Sequence, residues 1–237
     1  MAVLLQNYPE TPVERDFILL TEKQEKQFRR YFELLQIWNE RLNLTTIIQK
    51  EDVYEKHFYD CLTLSFENDL KGKTLCDVGT GAGFPSIPLK IAFPDLHVIA
   101  LDSMNKRMDF VKLVIEELGL EGIDVVVARA EDYGREHREE YDYVTARAVS
   151  RLNVLMELSS PMVKIGGKFI ALKGPLAKEE AAECDAACRE LKLDLTQKQK
   201  IILPKSFGKR YNLVYTKLDY TPNKYPRDYN KMKKKPL

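Results

Sequence analysis

Apolar residues recur at two different periods along this chain. Between Glu22 and Leu42, Phe28, Tyr31, Phe32, Leu35, Trp38 and Leu42 fall three and four positions apart, the spacing of one buried helix face. Val53, Tyr54, His57, Phe58, Cys61 and Leu62 repeat the pattern and predict a second helix over residues 51–66. From Thr74 the period changes. Short apolar runs at 74–78, 97–102, 124–128, 141–146 and 167–173 predict five strands, and residues 193–203 and 212–218 predict two more. Helices fall between them. One starts at Pro85 and stops before Pro94. One is capped by Ser103 and stopped at Gly119. Residues 152–162 predict a third, and a fourth opens at Pro175 and runs to about Leu191.

Strands alternating with helices imply a mostly parallel sheet with right-handed crossovers. The expected fold is therefore α/β and Rossmann-like: a seven-stranded, mostly parallel sheet with helices on both faces, preceded by a helical extension. The expected division is a helical cap over residues 1–70, a catalytic-type domain over 71–220, and a basic tail over 221–237.

Composition narrows the class. No run of about 18 apolar residues is present, which argues against a transmembrane helix. Residues 1–14 lack the basic start, apolar stretch and cleavage site of a secretory signal, so a cytoplasmic protein is expected. Cys61, Cys76, Cys184 and Cys188 form no CxxC pair, and no metal site is expected. The formal net charge is +1, but it is unevenly spread. Residues 198–237 carry twelve basic and two acidic residues, hence +10, which leaves −9 on the first 197. A basic end on an acidic body points to a polyanionic partner. The Lys209–Arg210 pair before the last strand is a candidate phosphate contact, positioning a nucleic acid rather than reading it.

The candidate chemistry lies between the first strand and its helix, in Asp77-Val-Gly79-Thr-Gly81-Ala-Gly83-Phe84. Glycines there let the backbone turn sharply and approach a ligand closely. A dinucleotide fingerprint requires Gly where Phe84 stands, which disfavours a pyrophosphate cradle. Asp77, two positions before the first glycine, suits a cofactor with a cationic amino-acid moiety. Asp102 ends the second strand, where a carboxylate can accept from ribose hydroxyls. Ala130 and Glu131 follow the third strand, where an adenine would lie. Three acidic groups at three successive strand ends point to S-adenosylmethionine.

Two methyl acceptors are disfavoured. The position after the fourth strand reads Thr145-Ala-Arg147-Ala-Val149, not the Asn/Asp-Pro-Pro-aromatic loop used for exocyclic amines. No cysteine stands near the fourth or fifth strand to attack a pyrimidine. Guanine N7 has a lone pair and no proton to lose, so alignment and electrostatic support suffice. Arg147 and Lys173, at strand ends, fit that role.

The chain resembles the glucose-inhibited division protein B family, the ribosomal small-subunit methyltransferase G group. The resemblance rests on Trp38–Thr45, His57–Asp60, the Asp77–Pro85 loop, Leu101-Asp-Ser103 with Lys106-Arg107, Arg129-Ala-Glu131, Ala146-Arg-Ala-Val149, Lys173-Gly174 and Tyr225-Pro-Arg227. Ser86 departs from the glycine expected there, and so does the segment after Arg227. The resemblance implies a class I methyltransferase acting on guanosine N7 of 16S ribosomal RNA, in the small subunit or an assembly intermediate, as a monomer. It implies cofactor contacts from Gly79, Phe84, Ala130, Glu131 and Arg147, and adds Arg227 to the candidate RNA contacts. Trp38 and His57 are expected to be core rather than ligand-binding residues. Other readings are a methyltransferase for another RNA or small molecule, a non-catalytic regulator, and a nicotinamide oxidoreductase. Binding of adenosylmethionine, but not NAD, separates the last from the first.

Overall fold

The computed structural model describes residues 18–204 and 208–237. The expectation about a secretory signal falls on residues 1–14, outside the described residues. The described residues form seven strands, β1 (Thr74–Val78), β2 (His97–Asp102), β3 (Ile123–Val127), β4 (Tyr141–Arg147), β5 (Val163–Lys173), β6 (Leu193–Ile202) and β7 (Lys209–Lys217). They form one sheet in the order β3-β2-β1-β4-β5-β7-β6. All neighbours from β3 to β5 are parallel, and β7 runs antiparallel to both β5 and β6. The chain winds outward from β1 to β3, then returns to place β4 on the other side of β1. That reversal opens a crevice at the carboxyl ends of β1 and β4, the usual ligand position in such sheets.

The central strands read as continuous apolar runs because both faces are covered. On β1, Leu75 faces one core and Cys76 and Val78 the other. On β5, Ile170 and Leu172 face the first, and Phe169 and Ala171 the second. The first core is shared with the N-terminal helices. Helix α1 (Glu22–Leu42) begins with a capping box between Thr21 and Gln24, and ends at Asn43 in the left-handed conformation. Its buried Phe28, Tyr31 and Leu35 join Leu75, Ile170 and Val214 of the sheet in one cluster. The cap is therefore packed into the sheet core. The Trp38 ring meets Phe110, 6.2 Å between centroids, at the margin of this cluster.

Several local features differ from the sequence expectation. Residues 50–65 are helical throughout but irregular: α2 (Lys50–Val53), a π-helical stretch (Tyr54–Tyr59), α3 (Asp60–Leu62) and a 3-10 turn. Pro85 precedes α4 (Ser86–Ala92) instead of starting it. Ser103 is exposed and does not cap α5 (Asn105–Leu118). Met104 holds that position, and its N–H donates to Asp102 Oδ1 at 2.9 Å. The expected long helix after Pro175 is broken at Glu183 and Cys184 into α8 (Ala177–Ala182) and α9 (Asp185–Leu191).

The remaining helices, α6 (Ala130–Glu136), α7 (Leu152–Ser159) and α10 (Tyr229–Lys234), pack together. The C-terminal segment is thus docked: Met232 of α10 is fully buried against Val154 and Leu158 of α7. No helix among the described residues is long and apolar enough to cross a membrane.

Candidate functional site

The Gly-rich loop after β1 is turned back over the end of β2. The N–H groups of Gly79 and Thr80 both donate to Leu101 O, at 2.8 and 3.0 Å. Gly81 N–H donates to Asp102 Oδ2 at 3.0 Å. Two glycines have conformations and surroundings that other residues would not tolerate. Gly79 has φ 75°, and a Cβ there would lie 2.5 Å from Val149 Cγ2. Gly83 has φ 98°, and a Cβ would lie 2.4 Å from Ile87 Cδ1 and 3.1 Å from the Tyr31 hydroxyl.

On one side of this loop lies an open cleft of about 290 Å3. The ends of three strands supply its walls: Val78 of β1 and Gly79 after it, Leu101 and Asp102 of β2 with Met104 beyond them, and Ala128 to Glu131 after β3. Ala148 and Val149 follow β4, and Leu158 and Tyr229 come from α7 and α10. Ala148 has a positive φ of 57°, uncommon for a residue with a side chain, which bends the chain just after β4.

On the other side the loop is gripped by the cap. The Tyr31 hydroxyl donates to Ala82 O at 2.7 Å inside the core. The Phe84 ring packs on Tyr31, Phe58 and His57, with the His57 ring stacked at 4.6 Å. Arg147 lies over the same ring, 5.1 Å from its centre. Its guanidinium donates to Asp60 Oδ2 at 3.1 Å, to Lys56 O at 3.3 Å and to His57 Nδ1 at 3.1 Å. Because Arg147 can only donate, His57 Nδ1 must accept, so Nε2 carries the proton and donates to Thr45 Oγ1 at 2.9 Å. Burial, aided by the Arg147 charge, pushes the His57 pKa down to about 3, and the ring is neutral at physiological pH. Burial raises the Asp60 carboxyl, and Arg147 and Arg210 oppose that rise.

Beneath the loop Asp77 is completely buried. Its Oδ2 accepts from Ser86 Oγ at 2.6 Å and Ser86 N–H at 3.2 Å, while Thr80 Oγ1 donates to Ser86 Oγ at 3.0 Å. The serine that departs from the family pattern thus ties the carboxylate to the helix start. Asp77 Oδ1 is buried without a hydrogen-bond partner among the described residues. Burial raises the Asp77 pKa to about 6 despite the Ser86 bonds. A buried acceptor with no partner, beside a loop that closely approaches the cleft, suits a ligand carrying an ammonium group.

The candidate residues therefore separate. Gly79, Asp102, Ala130 and Glu131 line the cleft; Gly81 and Gly83 shape the loop; Phe84 and Arg147 sit on the cap side. Lys173 also lies away from the cleft. Its Nζ is 2.7 Å from Glu180 Oε2 and donates to Ser150 O, and the same Glu180 oxygen accepts from Leu152 N–H. This arrangement braces the loop bearing Ala148 and Val149. Lys209 is exposed at the start of β7, and Arg210 Nε lies 3.5 Å from Asp60 Oδ1. Arg227 forms a two-pronged pair with the buried Glu157, at 2.8 and 2.6 Å, and its own N–H adds a third bond. Among cleft residues, Arg107, Arg129, Val149, Leu158 and Tyr229 were not singled out from sequence. Arg107, Arg129 and Val149 lay within matched motif segments; Leu158 and Tyr229 did not.

Fold and cleft together define a Rossmann-like class I methyltransferase. Solved structures with this architecture include the ribosomal protein L11 methylase of Lactobacillus delbrueckii subsp. bulgaricus, with a TM-score of 0.55 and 16% identity over 69% of this chain and 79% of that one. Precorrin-6y C5,15-methyltransferase of Geobacter metallireducens matches with a TM-score of 0.52 and 13% identity over 67% and 88%. At such identities the likeness concerns the fold. The model of the family described as rRNA small subunit methyltransferase G matches residues 24–206, and this chain belongs to that family. Proteins named ribosomal RNA small subunit methyltransferase G are close in sequence. That of Lysinibacillus sphaericus is 48% identical over 93% of this chain and 94% of its own length. That of Staphylococcus aureus is 47% identical over 93% of each chain.

Proposed function

We propose that this chain transfers a methyl group from S-adenosylmethionine to N7 of a guanosine in 16S ribosomal RNA. The observation that carries the reading is the cleft at the sheet's reversal point, floored by Gly79 and walled by Asp102 and Glu131. When bound, S-adenosylmethionine supplies an electrophilic methyl group on its sulfonium. The protein's own part is holding and aligning. Asp77 Oδ1 is the acceptor for the amino-acid ammonium. Asp102 accepts from the ribose hydroxyls while its two oxygens hold Gly81 and Met104 N–H. Ala130, Glu131 and Leu158 form the adenine end.

The acceptor guanine would enter over the Arg147–Ser150 segment. N7 attacks with its own lone pair, so no residue has to remove a proton first, and rate comes from alignment and exclusion of water. Arg147 and Lys173 act as positioning residues, the first through Phe84 and the cap, the second through Ser150 and Glu180. Exposed Lys209 at the head of β7 is the favoured phosphate contact of the basic segment. The reading extends to action in the cytoplasm, as a monomer, on the small ribosomal subunit or its assembly intermediate.

The test uses labelled S-adenosylmethionine, the purified chain, and small subunits from a strain lacking this gene. Label recovered in 7-methylguanosine after digestion of the RNA is the expected result. Label in any other nucleoside would overturn the N7 reading. No transfer to subunits or to their precursors would overturn the ribosomal one.

A further inference from the structure

The C-terminal segment departs from the family pattern after Arg227, yet the structure bolts it to the adenine end of the cleft. Arg227 grips Glu157 of α7 through three hydrogen bonds. Asp228 receives Arg135 of α6 at 2.8 Å. Met232 is fully buried between Val154 and Leu158, and Ala130 and Tyr229 pack against that same small cluster. Asn153 Nδ2 reaches Leu237 O at 3.4 Å, behind α10. Leu158, Ala130 and Tyr229 are all cleft residues. A segment anchored at four points, on the two helices that frame one end of a cleft, holds its one cleft-facing aromatic side chain in place before any ligand arrives.

We infer that Tyr229 is a cofactor-binding residue: its ring closes the adenine end of the cleft, and α10 with its anchors exists to present it. This rests on the cofactor reading above. The ligand chemistry follows from the walls. Ala128, Ala130 and Leu158 make an aliphatic surface, and the Tyr229 ring supplies the aromatic one. A flat purine between such walls gains stacking that neither a methionine tail nor a ribose would. The anchors also assign Arg227. Withdrawing it to bind a phosphate would strand Glu157, a carboxylate 1% exposed. Arg227 is therefore a holder of the strap.

The test is calorimetric titration of the full chain with S-adenosylmethionine and S-adenosylhomocysteine, which share the adenosyl group. Tyr229→Ala should weaken both by at least about fivefold, the lower end of what loss of one aromatic–base stack does. Tyr229→Phe should stay within about twofold, because the ring remains. Met232→Asp, which places a charge in the buried socket of α10, should weaken both ligands at least as much as Tyr229→Ala. A second measurement needs no variant: saturating S-adenosylmethionine should slow tryptic cleavage after Lys231 and Lys233 of the wild-type chain. Unchanged affinity in Tyr229→Ala, equal losses in the Phe and Ala variants, or absence of tryptic protection would each overturn the assignment. Failure of the wild-type chain to bind S-adenosylmethionine at all would instead overturn the cofactor reading on which it rests.

Discussion

The two sides of the Gly-rich loop are built on opposite principles. On the cleft side Gly79, Asp102 and Glu131 face open space, and polar atoms there keep capacity for a ligand. On the cap side Phe84, His57, Arg147 and Asp60 form a closed set in which every group is packed or hydrogen-bonded to another. Two segments contribute to both sides: Gly79 and Phe84 share the Gly-rich loop, and Val149 and Arg147 share the stretch at the end of β4. Membership of a motif therefore does not say whether a residue touches the ligand or holds the loop that does. Substitutions distinguish the two, because cap-side losses should appear in stability and cleft-side losses in affinity.

The largest effect is expected from Arg147→Ala. It removes the main partner of Asp60, which is 4% exposed and, among the described residues, would keep only the longer contact from Arg210. Removing one member of a buried ion pair costs about 3–5 kcal/mol of folding stability. Urea unfolding should report a loss of that order, with cofactor affinity in the surviving folded protein reduced much less. The reverse outcome, unchanged stability with affinity lost, would move Arg147 to the cleft side and dissolve the comparison.

Asp77 lies beneath both sides, and pH separates its two roles. Its folded pKa of about 6 exceeds the ordinary carboxylate value, so the folded state holds the proton more tightly than the unfolded one. Its contribution is undiminished below about pH 4, falls as pH rises toward 6, and is constant above, a total of about 3 kcal/mol lost. Asp77→Asn should abolish that dependence and stabilise the cofactor-free protein at pH 8, as denaturant titrations at several pH values would reveal. An ammonium ligand favours the ionised form. Wild-type affinity for S-adenosylmethionine should then rise nearly tenfold per unit below pH 6 and level off above it, and the asparagine variant should bind weakly throughout. A flat wild-type profile would remove Asp77 from ligand binding.

Asp102→Ala should weaken S-adenosylmethionine by about 1.5–3 kcal/mol, the effect of losing a charged hydrogen-bond acceptor. The same change releases Gly81 and Met104 N–H, so a small fall in thermal stability accompanies it. Calorimetry showing intact affinity would leave Asp102 as a loop brace, like its cap-side counterparts.

Much of the fold was legible because strands buried on both faces read as uninterrupted apolar runs. The limits of α1, β1 and β2 follow the pattern residue for residue. Misreadings arose where a side chain and a backbone group a few residues apart bonded each other. Ser103 looks like a helix cap, but Asp102 at the strand end already satisfies the Met104 N–H. The helix after Pro175 is interrupted at Cys184, whose thiol reaches back to Glu180 O. In the site, strand-end positions were readable from alternation alone, and the structure gathers Gly79, Asp102, Ala130 and Glu131 in one cleft. The inward turn of Arg147 was not readable, since it depends on Asp60, 87 residues away. Tyr229 had no local signal, because its place is set by Met232 fitting a socket on α7.

The smallest effect concerns the basic end, and it tests whether the same division extends to RNA. Lys209 is exposed and Arg227 is locked to Glu157, although both belong to the basic segment. If charge alone decided, neutralising either would weaken RNA binding alike. If commitment to an internal partner decides, Lys209→Ala should lower the slope of log affinity against log salt by about 0.7–0.9, the value for one phosphate contact. Arg227→Ala should leave that slope unchanged while lowering stability and loosening the C-terminal strap. Affinities for small-subunit RNA at four or five salt concentrations would decide. A slope lowered by Arg227→Ala and untouched by Lys209→Ala would mean that the buried pair opens to meet RNA, and that the closed contacts of this molecule are less closed than its cap suggests.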